Sequence, residues 1–212
     1  MYTLYGKAGS GSAAVEAALV VAREPFRIVE TASWAQNDAY ADLLEVNPLG
    51  QVPTLVLDDG SALSESAAIL IHLGAAHPDS RLLPEKMSER AQVFRGLVFI
   101  AANCYSAISI IDYPERWCQD ADGDEKLLER IRAGTRARLH RHWEMFADVF
   151  TARPYLNGND LGALDLLAAV VSKWSGSRQH LEHHRPAFHE TLMRIEGHPD
   201  VAPVFARNWP PR

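Results

Sequence analysis

Short β-prone runs alternate with short helical ones over the first 80 residues of this chain, and no convincing strand follows them. That change of texture limits the possible architectures more than any other feature. Residues 2–5 are β-prone and end at Gly6, and residues 12–22, rich in Ala and Val, predict a helix. Residues 26–29 alternate as a half-buried strand does. Residues 38–45 predict a short helix that stops before Asn47-Pro48. Residues 54–57 and 62–63 flank Asp58-Asp59-Gly60, the turn of a hairpin. Residues 65–76 carry apolar side chains at 68, 69, 70 and 73 and predict a third helix. The order is β-α-β-α-β-β-α.

Residues 77–84 are polar and interrupted by prolines, which predicts a linker. Beyond it the apolar spacing is helical. Helices are predicted over 88–111 and 125–150, and a third is marked by Leu164, Leu167, Ala168, Val171 and Trp174. That third stretch is apolar almost all round, as a buried helix is. A fourth covers 186–196. A length of 212 residues fits two small domains or one large one. The expected division is 1–78 for the α/β part, 79–86 for the linker and 87–212 for an all-helical part.

At 47% hydrophobic and 23% charged residues, the chain has the composition of an ordinary globular protein. A net charge of −6 argues against nucleic acid and against anionic membrane surfaces as partners. No uninterrupted apolar run approaches the ~18 residues of a bilayer span. The first residues lack the basic-then-apolar order of a secretory signal. Cys104 and Cys118 are 14 apart and form no CxxC pair, so they are expected to be reduced thiols in a cytoplasmic protein.

Two segments carry chemistry. The first is Asn47-Pro48-Leu49-Gly50-Gln51-Val52-Pro53-Thr54-Leu55. Pro53 stands just before a strand and has no amide to give a ladder. A cis bond there would leave the backbone of Val52 to pair with an extended peptide ligand. The second is Leu63-Ser64-Glu65-Ser66, which opens a helix. Free amides at a helix start bind a carboxylate, and the Ser66 hydroxyl adds a donor. Glu65 beside them would take a cation. Together they suit an α-amino acid group. Gly9-Ser10-Gly11-Ser12, taken alone, is a flexible turn and helix cap.

On these residues the sequence resembles the cytosolic glutathione transferases. The Asn-Pro-x-Gly-Gln-Val-Pro string is most similar to the bacterial beta-class branch. The resemblance covers nearly the whole chain and includes the linker and the segment from Leu156-Asn157-Gly158 to Asp165. It implies a thioredoxin-like α/β domain followed by an all-α domain, with glutathione as co-substrate, no metal, a homodimer and a role in detoxification. It implies that Val52, next to Pro53, bonds the cysteinyl backbone of glutathione. Glu65 and Ser66 would hold its γ-glutamyl end, and Gln51 would lie near its glycyl carboxylate. The family activates the thiol with Tyr, Ser or Cys near the start of the first helix. Here Ser10 and Ser12 both stand in that region, with Ser10 favoured by counting from the first strand, and no Cys is present. Such a Ser would stabilise the thiolate and would not act as a covalent nucleophile.

The helical domain would supply the pocket for a hydrophobic electrophile. Tyr105 and Tyr113 are its foremost candidates, with Trp117 and Trp174 beside them. Two other readings share the same motifs. One is a glutathione-dependent dehalogenase, isomerase or peroxidase. The other is a non-catalytic binding or stress protein of this fold, which the atypical Gly-Ser-Gly-Ser tip keeps open.

Other clusters have plainer readings. His180, His183, His184 and His189 crowd one segment, and His180 and His184 are spaced i, i+4. With no acidic or Cys ligand arranged around them in the sequence, they predict a solvated helix face. Arg130, Arg132, Arg136, Arg138 and Arg141 are expected on a solvated helix surface. Cys104 is expected to be a small buried hydrophobe, and Trp143 and Trp174 fit apolar helical stripes. Relatives usually carry Ser or Thr three residues before the aspartate of the core helix. Here that position is Gly162, ahead of Asp165, so a somewhat weaker cap is expected.

Overall fold

The computed structural model describes residues 1–35, 37–118 and 124–210. Four strands, β1 (Tyr2–Gly6), β2 (Phe26–Glu30), β3 (Thr54–Val56) and β4 (Ala62–Ser64), form one sheet in the order β2-β1-β3-β4. β1 runs parallel to β2 and antiparallel to β3, and β3 is antiparallel to β4. Helices α1 (Ser12–Val21), α2 (Asp38–Val46) and α3 (Ser66–Ala76) complete this thioredoxin-like part in the predicted order. Gly60, at φ +86°, turns the β3–β4 hairpin, as the Asp-Gly pair predicts. Leu4 on β1 faces its partner Leu55 on β3, and both are fully buried.

Beyond the sheet part, the elements among the described residues are helical, apart from an isolated bridge between Tyr155 and Gly158. α4 (Met87–Phe99), a π-helical segment (Ile100–Tyr105) and α5 (Ser106–Asp112) form one continuous rod. After it come α6 (Glu125–Val149), α7 (Ala163–Val171), α8 (Ser177–His184), α9 (Pro186–Glu196) and α10 (Ala202–Asn208). All nine residues of α7 are buried, as its apolar circumference predicts. One apolar core runs from Leu4, Leu55 and Leu70 through Leu97 and Ile100 to Leu164 and Leu167. The sheet domain and the helices therefore share a core.

The structure departs from the periodicity reading in one place and adds to it in others. The third predicted helix does not reach Trp174; it ends at Val171, and Trp174 lies in the following turn. α8 and α10 carry no strong apolar stripe, and periodicity does not mark them. The segment predicted as a linker packs onto its neighbours. Leu82 and Leu83 are buried, Gly74 leaves room for Leu83, and the Ala163 amide donates to the Leu82 carbonyl at 2.8 Å. The 26-residue rod Met87–Asp112 is long and apolar enough to cross a membrane, with a mean hydropathy of 1.6 over its most apolar stretch. It packs against α6 and α7 as a central helix.

Gly162 has a packing reason. A side chain there would occupy the space taken by Asn157, whose amide donates to the Arg81 carbonyl at 2.9 Å. Asp165 takes over the capping. It accepts the amides of Leu156 (2.7 Å), Asn157 (3.2 Å) and Gly162 (3.0 Å). Its complete burial pushes its carboxyl up to about 7 in spite of these donors.

Candidate functional site

A cleft of about 450 Å³ opens between the thioredoxin-like part and the rod of α4 and α5. Three loops and the start of α3, all from the first 67 residues, form one wall, and the π-helical segment and α5, with Leu167 of α7 and Trp174, form the other. Its size suits a small-molecule ligand.

The β1–α1 loop is fixed from far along the chain. The Gly9 amide, at φ +75°, donates to Asn208 Oδ1 on α10 at 3.1 Å. Asn208 in turn donates to buried Glu16 on α1 at 3.0 Å, and Arg207 pairs with the same carboxylate. Ser10 and Ser12 are both buried, with hydroxyl oxygens 2.9 Å apart. Ser12 Oγ accepts the Lys7 amide and donates to the Lys7 carbonyl, both at 3.2 Å. Either hydroxyl can be the donor in the pair, and when Ser12 donates, the Ser10 proton is free to face the cleft. Ser10 Oγ also accepts the Ser12 amide at 3.3 Å, at the start of α1. Of the two serines, Ser10 lines the cleft and Ser12 lies beneath it.

The loop before β3 is held by Asn47, which is buried. Its amide donates to the Gln51 carbonyl (3.2 Å) and to Thr54 Oγ1 (2.9 Å), while its oxygen accepts the Leu49 amide (3.2 Å). Gly50 sits at φ +59° against the Tyr40 hydroxyl, a conformation and a spacing that suit glycine. The Val52–Pro53 bond is cis, and Gln51, Val52 and Pro53 all line the cleft.

Glu65 caps α3 at φ +67°, ψ +110°, an uncommon conformation for a residue with a side chain. The first intrahelical bond runs from the Ile69 amide to the Glu65 carbonyl at 3.0 Å. The amides of Ser66, Ala67 and Ala68 precede it and have no helical partner. Glu65, Ser66 and Ala67 line the cleft.

On the opposite wall the π-helical segment carries Tyr105. An extra residue in a helical turn redirects the side chains that follow, and such turns recur at functional sites. The Tyr105 ring stacks on Trp174 with centroids 5.6 Å apart. Burial pushes its hydroxyl up to about 12, Glu65 and Asp112 add to this, and the Gly11 amide offsets part of it. Tyr105 is therefore a neutral hydrogen-bond donor at ordinary pH. Tyr113 also lines the cleft, with the Arg116 guanidinium 3.9 Å from its ring centroid. Trp117 does not line it and is 62% exposed.

Sequence reasoning missed Trp34, Asp112 and Arg116 in this cleft. None of them interrupts a local periodicity; the spacing of Asp112, Tyr113 and Arg116 would have been a signal only with the end of α5 known. Away from the cleft, the expectation that no acidic group stands by the histidines is overturned. Glu144 on α6 bonds His180 Nε2 at 2.8 Å, and His184 lies alongside.

Residues 12–76 match the family model described as the glutathione S-transferase N-terminal domain. An uncharacterized GST-like protein of Escherichia coli K12 is 32% identical over 176 residues, covering 82% of each chain. A probable maleylacetoacetate isomerase of Vibrio cholerae is 28% identical, covering 81% of this chain and 76% of its own. Among solved structures, a glutathione transferase homologue from Sulfitobacter, with bound glutathione, has a TM-score of 0.84, covers 96% of each chain and is 24% identical, an agreement of fold.

Proposed function

The chain belongs to the glutathione S-transferase family, and on that premise we propose that it binds glutathione in this cleft, activates the thiol through Ser10 and transfers it to an electrophile. One observation carries the reading. Ser10, Val52 with Pro53, and Glu65 with Ser66 come from three separate segments and line one cleft.

Each group has a role that follows from its chemistry. The backbone of Val52 pairs with the cysteinyl residue of glutathione, and Gln51 lies towards its glycyl carboxylate. The free amides and hydroxyl at the start of α3 take the γ-glutamyl carboxylate, while Glu65 takes the amino group. Ser10 donates to the sulfur. A free thiol titrates near ~8.5, and lowering that by two units needs about 2.7 kcal/mol. A hydrogen bond to a charged acceptor supplies ~1.5–3 kcal/mol and a helix N-terminus ~0.3–1 kcal/mol, together a range that brackets this requirement. The thiolate then attacks the electrophilic carbon directly. Tyr105, Tyr113 and Trp174 receive the apolar body of the electrophile, and the neutral Tyr105 hydroxyl can bond a leaving group or oxyanion. The working unit is proposed to be a homodimer.

The test is a pH titration of the ultraviolet thiolate band of bound glutathione, in the wild type and in Ser10→Ala. The thiol is expected to titrate well below ~8.5 in the wild type and close to it in the variant. A free-like thiol in both proteins would count against catalysis and favour a binding role. A second reading rests on the Vibrio relative and on the Arg116 cation in the cleft. Thiolate addition and expulsion would isomerise an unsaturated acid without consuming glutathione. Glutathione consumption per turnover separates the two reactions.

A further inference from the structure

The histidine-rich segment has no part in the cleft. It forms α8, and its i, i+4 pair faces α6. We propose that Glu144, His180 and His184 form a binding site for a late first-row divalent metal ion, one that fastens α8 to α6.

One ligand atom from each of the three residues lies within 4.8 Å of the others, and a turn of the exposed His184 ring out of its stack on His180 brings all three onto one ion. Glu144 and His180 are only partly exposed, with side chains at 25% and 18%. The His180 and His184 rings lie face to face, centroids 4.2 Å apart. Two imidazoles and a carboxylate suit zinc and its neighbours, with water in the remaining position.

The surroundings orient the donors. His140 stacks on the other face of His180 at 4.3 Å, and its own Nε2 is bonded to the Ser175 carbonyl at 3.0 Å. The second oxygen of Glu144 lies 3.3 Å from the Arg185 guanidinium, which leaves its partner oxygen towards the histidines. Arg185 is itself held by both oxygens of Asp148, at 2.7 and 2.9 Å. Glu144 and Asp148 thus flank the guanidinium of Arg185, while Arg136 acts on His140 from the other side of the stack. Groups that orient ligands in this way commonly govern metal affinity. On binding, the ion replaces the proton shared between His180 and Glu144.

The experiment uses the full chain without a histidine tag, stripped with a chelator and free of glutathione, which binds zinc itself. Zinc is titrated by calorimetry near neutral pH, and cobalt is followed by its visible absorption. One equivalent is expected to bind with a Kd below about 10 μM and to raise the melting temperature. His184→Ala is expected to weaken binding about tenfold or more, and so is Glu144→Gln, which keeps a hydrogen-bond acceptor for His180. His183→Ala, an adjacent exposed imidazole, is expected to bind as the wild type does. The proposal is overturned if no saturable binding occurs below about 100 μM. It is equally overturned if His184→Ala binds unchanged, or if His183→Ala loses as much as His184→Ala. Circular dichroism of each variant separates lost binding from lost folding.

Discussion

The hydroxyl of Tyr105 occupies the place that a β-carbon on Gly11 would take. The residue that caps α1 and the residue that ends the π-helical segment are thus matched to one another, directly beside Ser10. Gly11→Ala forces the ring away and is expected to destabilise the protein by ~1–3 kcal/mol through overpacking. Tyr105→Phe removes the atom that clashes. The double variant is therefore expected to be less destabilised than the sum of the single ones, measured by denaturant unfolding.

Ser10 and Ser12 differ in what they hold. Ser12→Ala strands the Lys7 amide, while the Lys7 carbonyl keeps the Ser10 amide, and is expected to cost about 1–2 kcal/mol of stability with a smaller effect on the thiol. Ser10→Ala is expected to show the opposite balance. Thermal unfolding and thiolate titration of both variants check the split.

Glu65 separates binding from folding. Its φ of +67° suits glycine better than glutamate. Glu65→Gly is expected to leave stability unchanged or raise it by up to ~1 kcal/mol while weakening glutathione binding about tenfold or more. Calorimetry with glutathione beside denaturant unfolding reads both.

Asn208 acts on the cleft without lining it. Asn208→Ala leaves the Gly9 amide and the buried Glu16 carboxylate short of a partner. The expected cost is ~1–3 kcal/mol, with slower turnover from a looser Ser10 loop. Wild-type turnover in a folded Asn208→Ala would show that the loop holds itself.

Asp165 sets a pH dependence. Its carboxyl titrates at about 7 in the folded chain, above its ordinary value of 3.8. Between these values the folded chain binds the proton and the unfolded chain does not. Its contribution to stability is therefore full below the lower value and is lost as pH rises through the upper one. Unfolding midpoints between about pH 5 and 8 are expected to fall with pH in the wild type, and less steeply in Asp165→Asn.

The fold was largely legible because its signals are local. The β-prone run at residues 26–29, the Asp59-Gly60 turn and the apolar circumference of α7 each depend on near neighbours in the chain. Two segments that line the cleft were legible for the same reason. Pro53 stands before a strand and Ser66 opens a helix, and both positions are defined by the residues beside them. α8 and α10 were not legible, since one is mostly polar and the other is short, and packing rather than periodicity holds them.

Tertiary structure alone decided the rest. It set Ser10 on the cleft with Ser12 beneath it, brought Tyr105 against Gly11, joined Glu144 to a histidine pair 36 residues away and fixed Gly9 with a side chain 199 residues along. Periodicity tells a helix which face to bury, but not the angle and height at which it meets the next one. Contacts a few ångströms long between distant segments depend on those angles, and they come into being only when the common core closes.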